Sequence, residues 1–167
     1  YGPRRSGKTT LIQDYLSQIR EKYFAGTGDD RYVRDVLESE SVQRITTSFS
    51  GYDLIVIDEA QRIKNVGLGL KILVDALPQV KVFASGSSSF ELSNLIGEPL
   101  TGRKKTCVLF PFSVLELTDQ IGPMKLQQEL EELLIFGTYP EVYLSENREE
   151  KITYLFELNE SYLFKDI

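Results

Sequence analysis

At 167 residues, with 41% hydrophobic and 26% charged positions, the chain has the make-up of one globular domain with room for part of a second. A formal net charge of −6 argues against sequence-blind binding to nucleic acid. The lack of histidine removes His-based catalysis and His-based metal sites, and a single cysteine removes an intrachain disulfide and a thiolate zinc cluster. No apolar run reaches the roughly 18 residues of a membrane-spanning helix, so a reduced cytoplasmic setting is the default expectation.

In chain order, the first feature is Gly2-Pro3-Arg4-Arg5-Ser6-Gly7-Lys8-Thr9-Thr10, which meets the G-x-x-x-x-G-K-[ST] phosphate-loop pattern at every fixed position. Gly2 and Gly7 allow backbone angles that a Cβ forbids. The amides of Arg5, Ser6, Gly7, Lys8, Thr9 and Thr10 can then converge at the start of a helix, where unpaired N–H groups and the helix dipole favour an anion. Lys8 supplies charge for the β- and γ-phosphates, and the Thr9 hydroxyl can ligate Mg²⁺. The side chains of Arg4 and Arg5 read as solvated or partner-facing. Leu11, Ile12, Tyr15, Leu16, Ile19 and Tyr23 recur at helical spacing directly afterwards. Such a loop ordinarily follows a buried strand, yet only Tyr1 precedes it and no Met opens the chain. The expectation is therefore a longer parent whose first strand is largely missing here.

A strand near residues 22–25, a polar loop over 26–30 and a helix over 32–38 come next. Leu54-Ile55-Val56-Ile57 is a continuous apolar run, as in a strand covered on both faces. A helix carrying Val66, Leu70, Leu73, Val74 and Leu77 stops at Pro78. Residues 80–84 and 106–110 read as two further strands, with Cys107 a small core residue in the second. Alternating strands and helices favour βαβ units and a parallel sheet. Beyond Pro111 the pattern turns helical: Leu126, Leu130, Leu133 and Leu134 make one face, and Ile152, Leu155, Phe156, Tyr162 and Leu163 another, with a turn at residues 137–140. The reading places an ATPase-like core over 1–118 and a helical extension over 119–167 that continues past the chain.

Asp58-Glu59 follows the central apolar run at once. Asp58 is expected to hold Mg²⁺ through water beside Thr9, and Glu59 to orient a water for attack on the γ-phosphate. The blander alternative is a helix cap with a first-turn acid. Ser85 and Ser87 end the next strand, where ligands of open α/β sheets bind. Ser85 is the better candidate for touching phosphate or water, against an ordinary serine-rich turn. Arg103 can neutralise charge on a transferred phosphoryl group, or it can belong to a basic rim with Lys104 and Lys105. No Asn-Lys-x-Asp guanine-reading motif occurs, which favours ATP over GTP.

Taken together, GPRRSGKTT, LIVIDEAQ, FASGSSSFEL, LTGRKKTCVLFPFSVLEL and YLFKDI resemble the bacterial and archaeal AAA-type ATPase family AAA_14. The resemblance implies a P-loop NTPase three-layer α/β sandwich of the additional-strand type, order 5-1-4-3-2. It implies that Thr101-Gly102-Arg103 is a family hallmark, and that a C-terminal domain resembling a nuclease fold follows. Partners expected on this basis are ATP, Mg²⁺, that C-terminal domain, and a second copy or protein partner, with no membrane and no nucleic acid indicated for this segment. The leading reading is Mg²⁺-dependent ATP hydrolysis driving a conformational switch. The alternative is a nucleotide-sensing module with negligible turnover. A helicase fragment, suggested by Asp58-Glu59-Ala60-Gln61, is the weakest, since the chain is short and shows no second motor core.

Overall fold

The apolar run that dominates the sequence becomes the middle strand of a parallel sheet. The computed structural model describes residues 1–86, 100 and 102–163. In it, β1 (Tyr23–Thr27), β2 (Leu54–Asp58) and β3 (Lys81–Ala84) lie in the order β1-β2-β3, all parallel. Leu54, Ile55, Val56 and Ile57 are buried without interruption. Alternation along β2 then distributes them: Leu54 and Val56 meet Ile12 and Leu16, while Ile55 and Ile57 join the larger cluster with Val33, Leu37, Ile45, Phe49, Leu70 and Leu73. Helix α1 (Lys8–Gln18) thus covers one face of the sheet. Helices α2 (Arg31–Leu37), α3 (Val42–Phe49) and α4 (Val66–Ala76) cover the other. The register pairs Thr27 with Asp58 and Ile57 with Ala84, so the carboxyl ends of the three strands share one rim.

Local chemistry sets the helix starts. Asp30 accepts from the Tyr32 amide at 2.7 Å to cap α2, and Ser41 accepts from the Arg44 amide at 3.3 Å to cap α3. Helix α3 lies in a stretch that the apolar pattern did not mark, although Ile45 and Phe49, four apart, both face the core.

Residues 106–110 were expected as a strand, and they join no ladder. A strand exists through its neighbour, and no described strand lies between β3 and this segment. A groove of about 410 Å³, lined by Val82, Ala84, Leu100 and Thr106 among others, borders that open side of β3. The Tyr1 amino group donates to the Cys107 carbonyl at 2.8 Å. Cys107 itself is exposed, not the core residue expected.

By contact density the chain divides into two units. The first is Tyr1–Gly2 with Lys8–Val108; the second is Pro3–Gly7 with the chain from Leu109 onward. The expected boundary at 118/119 falls inside α5 (Val114–Ile121), a helix closed by a reciprocal cap between Ser113 and Glu116. The second unit continues with α6 (Pro123–Gln128), α7 (Leu130–Phe136), α8 (Pro140–Leu144) and α9 (Arg148–Leu163). The leucines expected on one helical face are split between α6 and α7 at Glu129, and Leu130 and Leu134 are exposed. Phe136 is buried beneath the cationic heads of Arg148 and Lys151, 5.4 and 5.3 Å from its ring centre. In α9 the inward stripe is Lys151, Tyr154, Leu155 and Leu158, and Ile152 and Phe156 face outward. Apolar residues surround this helix, so their spacing alone did not select its buried face.

Candidate functional site

The strand-end rim of the first unit brings Thr9, Asp58, Glu59 and Ser85 together. Asp58 terminates β2 and is half-buried. Its Oδ2 accepts from the Thr9 hydroxyl at 2.7 Å, joining residues 49 apart. Its Oδ1 accepts from the buried Ser85 hydroxyl and from the Glu59 amide at 2.9 Å. Three donors on one carboxylate fix its rotamer. The main chain reinforces the arrangement: the Ser85 amide donates to the Ile57 carbonyl and the Ala60 amide to the Ser85 carbonyl, each at 2.9 Å. Ser87 lies outside the described residues.

Glu59 departs from regular structure. Its φ of 49° is left-handed, a conformation that costs a non-glycine residue about 1 kcal/mol or more. Beyond it the chain makes a 3₁₀ turn over Ala60–Arg62, and the Gln61 side-chain amide donates to Glu59 Oε2 at 2.5 Å. The bend is held from β1's end by Gly28, whose amide donates to the Asp58 carbonyl at 2.7 Å. A Cβ on Gly28 would sit 2.2 Å from the Glu59 carbonyl oxygen, so only glycine fits. Gly28 was not expected to matter, and Gln61 entered only as part of the Asp58-Glu59-Ala60-Gln61 run. Gly28 stood in an ordinary turn signal, Gly26-Thr27-Gly28, and its pressure comes from the carbonyl of Glu59, far along the chain.

Lys8 opens α1 and donates from Nζ to the Gly2 carbonyl at 3.0 Å, closing a six-residue curl. Gly7 takes φ +91° and Arg5 φ +59°, the left-handed pair through which the chain turns. Ser6 is 4% exposed, and its hydroxyl is buried with no hydrogen-bond partner. Thr10 is exposed on the first turn of α1. Arg5, expected to be solvated or partner-facing, is exposed and also engaged by other side chains. Its guanidinium pairs with Glu157 at 3.2 Å and lies over the Tyr154 ring, 4.7 Å from the centre, all within the second unit.

Arg103 is not brought to this rim. It is ion-paired with Asp75 in the final turn of α4. That helix starts beyond the carboxyl end of β2 and runs back toward the amino end of β3, a rise of about 16 Å over eleven residues. The pair therefore lies toward the opposite end of the strands from Asp58.

The donors present suit a phosphate-bound magnesium ion. Among the described residues no group of three or more His, Cys, Asp or Glu could cage a metal. Thr9 and Asp58 instead offer two hard oxygens side by side, the small protein share that Mg²⁺ takes when phosphates and waters supply the rest. The orphaned Ser6 hydroxyl and the Lys8 ammonium are groups that an anion would satisfy. Among the described residues, no helix is long and apolar enough to cross a membrane.

An uncharacterized protein of Methanocaldococcus jannaschii is 28% identical over 185 aligned positions, an alignment that covers the whole chain and 41% of that relative. The chain thus spans well under half of the relative's length. Residues 1–118 match the model of the AAA domain family AAA_14, and on that match the chain belongs to this family of AAA domains.

Proposed function

We propose that the chain binds ATP with Mg²⁺ at the rim of its sheet and hydrolyses it, the cycle driving a conformational switch. The hydrogen bond between Thr9 and Asp58 carries the reading, because it joins the phosphate-loop threonine to the strand-end carboxylate across the fold. In this reading the amides of residues 5–10 and Lys8 Nζ hold the β- and γ-phosphates, and Lys8 exchanges the Gly2 carbonyl for phosphate oxygens. Thr9 and Asp58 would hold Mg²⁺, which when bound neutralises charge on the phosphates. Ser85 keeps the Asp58 carboxylate oriented through its hydroxyl. Glu59, once parted from Gln61, accepts the proton of a water attacking the γ-phosphorus. The bond from that phosphorus to the β,γ-bridging oxygen breaks, and ADP and phosphate leave. Arg103, engaged by Asp75, stands outside this machinery.

The family's expected strand order also belongs to this proposal. The run β1-β2-β3 is read as strands 2-3-4 of 5-1-4-3-2, with the groove beside β3 as the place of strand 1. A cytoplasmic setting, a following C-terminal domain and association with a second copy or another protein complete the reading.

One observation favours the alternative of a sensing module with negligible turnover: Gln61 occupies the carboxylate that would activate water. Steady-state phosphate release separates the two. Measurable turnover that Glu59→Gln abolishes while nucleotide still binds supports the ATPase. Tight binding with equal, negligible turnover in both proteins supports the sensor.

A further inference from the structure

The middle of the phosphate loop does not belong to the sheet unit. Pro3–Gly7 falls with the helical unit, between Gly2 and Lys8 of the first. Within that unit Arg5 is held on three sides. Glu157 pairs with its guanidinium at 3.2 Å, the Tyr154 ring lies beneath it, and the Glu141 carboxylate adds a favourable charge. Pro140, at the start of α8, lies in ordinary contact range of Gly7, 3.8 Å from where a Cβ would stand. The Tyr154 phenol is buried, and that burial raises its pKa, so the ring meets Arg5 neutral. Arg5 carries this load in a left-handed backbone conformation that it does not favour alone.

We infer that Arg5 is a positioning residue that couples phosphate occupancy of the loop to helix α9 through Tyr154 and Glu157. The inference rests on the loop being the nucleotide site. The physical argument is reciprocity. Contacts that hold Arg5 left-handed hold the curl into which the Ser6, Gly7 and Lys8 amides are wound. Whatever stabilises that curl raises affinity for phosphate, and phosphate bound there stabilises the same contacts by the same factor. The pair is partly solvated, with side chains 41% and 56% exposed, so the coupling is modest. The stacked ring adds a contribution that salt does not screen away. Helix α9 thereby becomes the output element of the nucleotide cycle.

The test uses the intact protein, a fluorescent non-hydrolysable ATP analogue with Mg²⁺, and amide hydrogen exchange over residues 148–160. Glu157→Arg is expected to weaken analogue binding about fivefold, Tyr154→Ala by a similar factor, and the swap Arg5→Glu/Glu157→Arg to recover most of the loss. The analogue is expected to slow exchange around Tyr154 and Glu157 in the unaltered protein, and Glu157→Arg to remove that response while binding persists. A purely structural ion pair would lower the melting temperature without touching the nucleotide-dependent exchange, and that result overturns the inference. So does analogue binding with identical α9 exchange in the bound and free protein. Failure of the unaltered protein to bind the analogue at all overturns the proposed function, and this inference with it.

Discussion

The sheet rim and the helical unit are built on different principles. At the rim, Asp58 ends a strand whose four preceding side chains are buried, and its carboxylate takes three donors. In the helical unit Leu115, Leu134, Leu144 and Phe156 are all largely exposed, and the helices are short apart from α9. A rim fixed by a covered parallel sheet suits chemistry, where half an ångström matters. Loosely packed helices suit an element that moves or docks. Arg5 belongs to the second unit, where its side chain pairs with Glu157 and lies over the Tyr154 ring.

That contrast can be broken at the rim first. Glu59→Gln is expected to cut phosphate release by about a thousandfold, the range of a lost general base, while analogue affinity stays within about twofold. Lys8→Ala is expected to weaken ATP binding by about a hundredfold, measured by calorimetry, because it removes a charge-assisted phosphate contact. For stability, Ile55→Ala is expected to cost about 3–5 kcal/mol in urea unfolding, whereas Phe156→Ala, on the outward face of α9, should stay within about 0.5 kcal/mol. Equal losses at both positions would erase the distinction between the two regions. Gly28→Ala is expected to cost about 1–3 kcal/mol and to reduce turnover further than stability alone explains, because the Glu59 carbonyl must move from under the new Cβ.

The smallest effect concerns the cap of α5. Hydrogen bonds from the Ser113 amide and hydroxyl side hold the Glu116 carboxyl below its usual range. Its contribution is therefore present above the unfolded value of 4.5 and lost as pH falls through the lower folded value. Glu116→Gln should lower the neutral plateau by a small amount and leave the acid end nearly unchanged, which flattens the acid limb.

What the sequence revealed follows from how local each feature is. The curl before α1, the first helix and the run Leu54–Ile57 are written in consecutive residues, so spacing alone located them. Residues 106–110 have as strong a strand composition as β3, yet a ladder is a property of two segments, and no described strand pairs with them. Helix α3 was hidden by a polar sequence, although Ser41 with Ile45 and Phe49 carried a cap and an apolar pair. On α9 the apolar residues ring the helix, so the inward stripe through Tyr154 and Leu158 was set by packing. The role of Gly28 and the partners of the Arg5 side chain were hidden for one reason: Glu59, Tyr154 and Glu157 lie far along the chain.

The central claim is that Thr9 and Asp58 act as one magnesium-dependent unit. A double-mutant cycle on ATP affinity, with Thr9→Ala, Asp58→Asn and the pair measured with and without Mg²⁺, tests it most directly. The account predicts that each single change removes most of the Mg²⁺ dependence and that the double change adds little to either. Fully additive losses, or an affinity indifferent to Mg²⁺ in the unaltered protein, would contradict it.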